Sequence, residues 1–298
     1  MGHVARCIPI IDLFVRNKNK VYVAGSRSQI EIIGQYFSDV HWIEHDGYPF
    51  NFGRRGFFRY DLMKKFYSHL IRWRKERSQV ENYCQQYAID LVVSDHRYGF
   101  RSRSIYSIFM THQVQLPLFR YEGILQFLHL QAMRRFDEIW IPDDQHMNFA
   151  GKLSIPKKSL KFSHIGIQSR FKMYDKTQKS RNGIVVVVSG PLSYARQFVV
   201  EQIAMYKNEP VTIILTEELC NLNFPKNMNV LISKDWKKCD EVIMGAGKIV
   251  SRSGYSTLMD LIELDVPFLI TPTPGQSEQE YLHAHWMERK QDEVSPTY

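Results

Sequence analysis

The sequence predicts an α/β protein of two domains, each a parallel sheet flanked by helices. Short apolar runs followed by small or polar residues recur in both halves of the chain. One stretch, residues 248–281, also shows the order strand, turn, helix, strand that defines a βαβ unit. A length of 298 residues is enough for two medium-sized hydrophobic cores.

The βαβ unit is the most informative stretch. Ile249 and Val250 end an apolar strand, and the turn 251–254 leads into an apolar-faced helix that Asp265 ends. Residues 266–270 form the next buried strand. Because the crossover is helical, we expect the two strands to be parallel.

The turn before the helix suits an anion. Amide groups at a helix N-terminus and the helix dipole favour phosphate, and Gly254 would let a ligand approach the backbone. The hydroxyls of Ser253, Ser256 and Thr257 add donors, while Asp260 could accept hydrogen bonds from a ribose. An ordinary crossover with a capped helix explains the same residues about equally well.

Residues 251–282, SRSGYSTLMDLIELDVPFLITPTPGQSEQEYL, resemble the donor-binding segment of GT-B glycosyltransferases. Within that class they resemble the well-known group of the peptidoglycan N-acetylglucosaminyltransferase, which acts on a lipid-linked intermediate, and more strongly a less characterised group of bacterial glycosyltransferases related to it. The resemblance implies two Rossmann-like domains, a Ser/Gly turn near the donor nucleotide and a ribose contact from Asp260. It also implies donor-sugar contacts from Gln279 and Glu280, where the group has two glutamines.

Three further matches to that family extend the implied donor site. Gly2-His3 resembles the loop that supplies the catalytic histidine, which makes His3 the candidate base. Gly166 and Arg170 match a pattern whose arginine reaches the donor diphosphate, and Ser189-Gly190 resembles the donor loop.

The acceptor side is implied by two loops in the first half. Asp95 follows the strand 90–94, and His112-Gln113 follows the strand 105–110, so these side chains lie at the ligand-binding ends of their strands. Both loops resemble acceptor-side loops of the family. Asp95 equally suits a helix cap.

The domain division is predicted from composition and from the resemblance. Residues 1–170 form an acceptor-side Rossmann-like domain, 171–182 a linker that is mostly polar, and 183–298 the donor-binding domain. Through Arg170 there are 25 Lys and Arg residues against 15 Asp and Glu; afterwards there are 14 against 16. A strand before Gly2 and helices after the end are missing, so we expect a chain truncated at both ends.

The remaining elements follow from periodicity. In the first half we expect helices at 8–14 and 29–36 and strands at 20–24, 40–43 and 137–142. In the second half we expect strands at 184–188, 211–215 and 230–232, and a helix or turn at 236–244.

Residues 53–77 combine aromatic residues with cations. At helical spacing one face carries Phe58, Leu62, Phe66, Leu70 and Trp73, with Lys and Arg around it. This suits an anionic membrane surface, although a core-packed helix with a solvated basic face explains it slightly better. No recognised nucleic-acid motif accompanies the net charge of +8, so nucleic acid is not an expected partner.

Metal and redox chemistry are not indicated. The four cysteines lack CxxC spacing, the HxxEH match at 41–45 is too short for a zinc helix, and Asp143-Asp144 is not a DxD motif. No signal peptide or membrane span is evident, so we expect a cytoplasmic protein, peripheral on the inner face of the membrane.

These observations predict an inverting, metal-independent glycosyltransferase that needs no cofactor. By resemblance, it would move a hexose or N-acetylhexosamine from a UDP-sugar to a sugar or lipid-linked acceptor in cell-envelope synthesis. A sugar-nucleotide epimerase of the same fold and a non-catalytic sugar-nucleotide or membrane-surface module remain alternatives.

Overall fold

The computed structural model describes residues 2–46, 66–117, 123–175 and 181–294. The helices in these ranges are α1 (Gly2–Arg16), α2 (Arg27–Ile33), α3 (Phe66–Tyr87), α4 (Gly123–Met133), α5 (Leu192–Met205), α6 (Trp236–Met244), α7 (Tyr255–Leu264) and α8 (Ser277–Val294). Short 3-10 helices span Gly151–Ser154, Arg170–Met173 and Glu217–Leu219.

The strands are β1 (Tyr22–Gly25), β2 (His41–Glu44), β3 (Leu91–Asp95), β4 (Tyr106–Met110), β5 (Glu138–Ile141), β6 (Phe162–His164), β7 (Asn182–Val187), β8 (Val211–Leu215), β9 (Met228–Ile232), β10 (Ala246–Arg252) and β11 (Phe268–Thr271). The chain folds into two compact units. Unit 1 comprises residues 1–48 and 168–298, and unit 2 comprises residues 49–167.

Unit 1 contains a five-stranded parallel sheet in the order β11-β10-β7-β8-β9. Read from the other edge, this is the 3-2-1-4-5 order of a Rossmann fold. The apolar runs that predicted strands become its core, where Val186, Ile213 and Leu215 are fully buried against Phe198 of α5. The α7 helix ends at Leu264, and Asp265 is left-handed with φ of 49°, which confirms that Asp265 ends it.

The N-terminal segment belongs to unit 1. Its strands β1 and β2 pair in parallel, and one face of α1 packs against α7 and the 3-10 helix Arg170–Met173. Ile8 is fully buried in a cluster with Phe37 and Trp236. The division of the chain into compact units therefore differs from the predicted one, because residues 1–48 bury their apolar face on the second half.

Unit 2 is built on a four-stranded parallel sheet in the order β3-β4-β5-β6. Its core centres on Phe109, Met133, Ile139 and Ile141, all at most 1% exposed. Both units are thus α/β with parallel strands and flanking helices, which confirms the predicted fold class.

Only the end of the basic aromatic stretch 53–77 lies among the described residues. There, from Phe66 onwards, the chain is helical, and Arg72, Arg74 and Lys75 are exposed. Within the described ranges, no helix is both long enough and apolar enough to span a bilayer.

The packing of α1 on unit 1 can be tested with a matched pair of substitutions in that helix. We expect Ile8→Ala to lower the free energy of unfolding by about 2–5 kcal/mol, because it leaves a cavity in the cluster. Leu13 is 53% exposed, so Leu13→Ala should change the free energy of unfolding by about 0.5 kcal/mol or less. Chemical denaturation followed by tryptophan fluorescence measures both, and equal effects would contradict this packing.

Candidate functional site

The sheet of unit 1 has a topological switch point between β7 and β10. The chain leaves β7 towards β8 on one side, while β10 continues to β11 on the other. The loops after these two adjacent strands therefore diverge and leave a crevice at their carboxyl ends, which is where open α/β sheets bind ligands. The pairing of Val187 with Ser251 brings the Ser189-Gly190 loop and the Ser253-Gly254 turn to this same edge.

Helix α7 begins at the crevice. Gly254 is its N-cap, with φ of −71° and ψ of 139°, and has no side chain to cap the helix. Among the described residues, a Cβ added to Gly254 would meet only Thr257 Oγ1, at 3.8 Å, so there is room beside this glycine. Ser256 and Thr257 are half-buried in the first turn. This end of α7 therefore presents amides and hydroxyls suited to a phosphate.

A small cavity adjoins the loop after β7. It has a volume of about 210 Å³, and its walls are Val188, Ser189, Gly190, Leu192, Ala195, Thr216, Glu218 and Leu219. Gly190 has φ of 101°, a backbone conformation that favours glycine, and it leads directly into α5. A lining that combines apolar side chains with a few polar ones suits a flat heterocycle.

The first turn of α8 is tied to the same edge. The Ser253 hydroxyl donates to the carbonyl of Gln279 at 2.8 Å, and Gln279 Oε1 accepts from the amide of Thr273 at 2.9 Å. Glu280 is exposed and accepts from the amide of Gly275 at 2.9 Å. The structure thus brings Ser253, Gln279 and Glu280 together. The side chains of Gln279 and Glu280 both accept from amides of the loop that precedes α8.

The N-terminus of α1 lies beside the N-terminus of α7. A Cβ added to Gly2 would lie 3.3 Å from Ser256 Oγ, so a side chain at position 2 would crowd this hydroxyl. His3 follows in the first turn of α1 and is exposed. Its Nδ1 contacts the guanidinium of the buried Arg6 at 2.8 Å. The predicted base and the predicted phosphate turn are therefore neighbours.

Arg170 and Asp260 lie in the interior of unit 1. The Arg170 guanidinium bonds Asp260 and donates to Asp240 Oδ1 at 2.7 Å, and Ser169 donates to Asp260 at 2.6 Å. The Tyr36 hydroxyl donates to Asp240 Oδ2 at 2.6 Å. Asp260 is 7% exposed and Arg170 8%. Because their charged groups face each other, this geometry does not support the predicted ribose and diphosphate contacts.

The pKa values of Asp260 and Arg170 are shifted by their burial and by the charged groups beside them. Burial raises the pKa of Asp260 to about 6, although Arg170 and the Ser169 hydroxyl lower it. Asp260 and Asp240 both raise the pKa of Arg170, against the effect of its burial. The guanidinium also lies over the rings of Phe171 and Trp236, 4.5 and 5.3 Å from their centroids. Arg170 is therefore a fixed cation that holds two carboxylates.

Sequence reasoning missed Tyr36 and Asp240 in this cluster. Asp240 carried a usable signal, because helical spacing places it on the same face of α6 as Trp236 and Ile243, which are buried. A carboxylate on an apolar helix face needs a buried partner. Tyr36 gave no such signal.

In unit 2 the predicted acceptor-side residues lie on adjacent strand ends. Asp95 ends β3 opposite Met110 of β4, and His112-Gln113 follow β4 directly. His112 is buried, and Gln113 Nε2 lies 3.5 Å from its Nε2. Sequence reasoning missed the neighbouring His129, which contacts the Gln113 carbonyl at 2.7 Å. The structure thus places Asp95 and the His112-Gln113 pair at the ends of neighbouring strands, with His129 beside Gln113.

His129 is held neutral in the core of unit 2. Burial lowers its pKa to about 4, although hydrogen bonds to the carbonyls of Gln113 and Val114 act in the opposite direction. Its Nδ1 lies 2.5 Å from the hydroxyl of Tyr98, whose own pKa burial raises. With Nε2 donating to Gln113, Nδ1 is the acceptor for Tyr98.

The HxxEH match at 41–45 does not form a helix. Residues 41–44 are strand β2, so the alternation of a strand, and not the spacing of a helix, sets the directions of their side chains. Among the described residues, no group of three His, Cys, Asp or Glu side chains is placed to hold a metal ion.

Breaking the Arg170 cluster should be costly. We expect Arg170→Leu to lower the free energy of unfolding by about 3–5 kcal/mol, because Asp240 and Asp260 would stay buried without their cation. Arg16 pairs with Asp12 on the surface, at 2.8 Å and 64% exposed, so Arg16→Leu should cost about 0.5 kcal/mol or less. Urea denaturation compares the two, and similar losses would contradict a structural role for Arg170.

His129 predicts a pH dependence. Its pKa is lower in the folded chain than the ordinary 6.5, so the unfolded chain binds the extra proton first as the pH falls. The free energy of unfolding should therefore drop between pH 6.5 and pH 4, by up to about 3 kcal/mol. In His129→Gln this drop should shrink, whereas His146→Gln, at an exposed histidine, should retain it. Denaturant titrations across this range measure the slope.

Known proteins resemble this chain in structure but not in sequence. No protein-family profile matches the chain, and no curated protein matches it in sequence. The spinosyn rhamnosyltransferase SpnG superposes with a TM-score of 0.61 at 11% identity, covering 98% of this chain and 89% of SpnG. SpnG is also known in complex with thymidine diphosphate.

Two further structures agree. The glycosyltransferase SnogD from Streptomyces nogalater has a TM-score of 0.57 at 14% identity, covering 95% of this chain and 81% of SnogD. S. aureus MnaA with bound UDP has a TM-score of 0.56 at 11% identity, covering 99% of this chain and 86% of MnaA. The chain therefore has the fold of the GT-B glycosyltransferases, two Rossmann-like domains with parallel sheets.

Proposed function

We propose that the chain is a glycosyltransferase that binds a nucleoside diphosphate sugar in the crevice of unit 1. The proposal rests on the groups that lie close together at the carboxyl end of the unit 1 sheet. An uncapped α7 N-terminus, with room beside Gly254, lies next to the Gly2-His3 turn of α1, at the switch point of the sheet. Structural neighbours with bound UDP or thymidine diphosphate support a nucleotide ligand on this fold.

The diphosphate would lie against the start of α7. The amides of its first turn and the hydroxyls of Ser256 and Thr257 would donate to its oxygens. The buried Ser253 hydroxyl, which donates to the Gln279 carbonyl, would hold the turn in place. The cavity beside Ser189 and Gly190 would hold the base, because it opens at the end of the neighbouring strand. Gln279 and Glu280, whose side chains brace the adjoining loop, would lie beside the donor sugar. Arg170 and Asp260, which bond each other, would position α7 without contacting the ligand.

The proposed reaction is a metal-independent, inverting transfer. An acceptor hydroxyl attacks the anomeric carbon, and the bond from this carbon to the diphosphate oxygen breaks. The negative charge that develops on the leaving diphosphate is stabilised by the helix dipole and the fixed donors. His3 takes the proton of the acceptor hydroxyl. Because Arg6 contacts His3 Nδ1, this step requires that contact to open.

The substrates follow from the resemblance. We propose a UDP-activated hexose or N-acetylhexosamine as donor and a sugar or lipid-linked hydroxyl as acceptor. Asp95, His112 and Gln113 of unit 2 are the candidate acceptor-side groups. A cytoplasmic location at the inner membrane face and a role in the cell envelope belong to the same proposal.

A charge placed at the start of α7 tests the site. We expect Ser256→Glu to weaken binding of UDP or dTDP at least tenfold, about 1.4 kcal/mol, because the carboxylate repels the diphosphate. The same carboxylate favours the helix dipole, so folding should be retained or improved. Ser256→Gln, of similar size but neutral, should retain binding within about threefold. Isothermal titration calorimetry gives the affinities, and thermal unfolding checks the fold.

Two results would contradict the proposed function. One is the absence of heat or of a melting shift with UDP, dTDP and their sugar conjugates. The other is an equal loss of affinity in Ser256→Glu and Ser256→Gln, which would indicate crowding and not charge. Incubation of a UDP-sugar without acceptor separates a second candidate, since formation of a C2 epimer would identify an epimerase.

A further inference from the structure

Unit 2 contains a second cavity that the proposed reaction does not use. Its volume is about 420 Å³, and five of the eight side chains that line it are arginines. The lining residues are Leu70, Trp73, Arg74 and Arg77 from α3, Tyr98, Arg101 and Arg103 from the segment between β3 and β4, and Arg135 after α4.

The positive charges of this cavity are poorly compensated. Within the described ranges, no carboxylate forms an ion pair with any of its five guanidinium groups. Glu76 is engaged by Arg97 at 2.5 Å. Glu81 lies nearby, but it accepts from the Ser102 hydroxyl and from the Arg103 amide, each at 2.7 Å.

The arginines repel one another. Burial lowers the pKa of Arg77, and the charges of Arg103, Arg135 and Arg74 lower it further, with Glu81 acting in the opposite direction. The pKa of Arg101 is lowered by burial and then by Arg77, Arg135 and Arg103. A bound anion would relieve this repulsion.

The walls of the cavity are held in place without a ligand. A Cβ on Gly99 would come within 2.7 Å of Trp73 Cα, so α3 packs directly on the glycine backbone. The Trp73 and Tyr98 rings lie 5.0 Å apart, and Tyr98 stacks on Phe109 at 5.2 Å. The two segments that carry the arginines, α3 and the stretch after β3, are therefore fixed relative to each other, which lowers the entropic cost of binding.

The chemistry of the lining selects the ligand. Guanidinium forks match pairs of phosphate oxygens, and a single monoanion would leave most of the charge uncompensated. The cavity volume falls in the range of about 300–1,000 Å³ usual for small ligands, and Trp73 and Leu70 give it an apolar wall. We propose that this pocket binds an anion with two adjacent phosphate groups, as a free diphosphate compound or as a lipid headgroup.

Inorganic pyrophosphate is the direct probe. We expect it to raise the melting temperature of the chain and to bind at least ten times more tightly than inorganic phosphate at matched ionic strength. Arg103→Gln/Arg135→Gln should weaken pyrophosphate binding at least tenfold, and both positions are exposed enough to tolerate the change. Arg72→Gln/Arg134→Gln removes the same charge from exposed neighbours outside the lining and should retain binding within twofold.

The same titrations in a Ser256→Glu chain exclude binding at the start of α7. Retained pyrophosphate binding there supports this pocket whether or not the proposed transferase site is correct. Cosedimentation with vesicles containing a polyprenyl diphosphate, lost in Arg103→Gln/Arg135→Gln, would identify a lipid headgroup, and binding of soluble pyrophosphate alone a free compound. No response to pyrophosphate, an equal response in both double variants, or binding only to phosphatidylglycerol vesicles or RNA would overturn the proposal.

Discussion

The structure of unit 1 depends on one buried cation. Arg170 bonds Asp240 of α6 and Asp260 of α7, and Tyr36 of the N-terminal segment donates to the same Asp240. Segments that are distant along the chain therefore meet at one guanidinium. Removing these charges from water is costly, and the cost is offset only while every partner is present. The start of α7, where the phosphate site is proposed, is anchored by this cluster.

The sheet order imposes the second constraint. Because β10 lies beside β7 and not beside β9, the chain must cross to the other side of the sheet, and the loops after β7 and β10 separate. Small residues occupy both loops, so the backbone amides stay accessible there. The Gly2 backbone then approaches Ser256. An opening at this edge follows from chain connectivity, and the small residues keep it from being filled.

The two units present positive potential in different ways. At the crevice of unit 1 the positive potential comes from the dipole and the free amides of α7. These are partial charges, so burying them does not cost as much as removing a full charge from water. In unit 2 the positive potential comes from five guanidinium groups around one cavity, which repel one another and of which Arg77 and Arg101 are partly buried. The first arrangement suits a charge that develops during a reaction, and the second suits a ligand that arrives highly charged. The five arginines of this cavity all lie in the part of the sequence, up to Arg170, where Lys and Arg outnumber Asp and Glu.

The sequence by itself determined most of the strands and the turn that precedes α7. Buried strands such as 211–215 are continuous apolar runs, and Ser253-Gly254 before an apolar-faced helix indicates a tight turn, so local chemistry was sufficient for both. That Gly254 is the N-cap of α7, without a side-chain bond, is a finding of the structure. Only the tertiary structure decided that residues 1–48 pack on the second half, that Arg170 and Asp260 bond each other, and that Arg77, Arg101 and Arg135 share a cavity. These are contacts between segments far apart in the chain. Periodicity reports which face of an element is apolar, but not which distant element covers it.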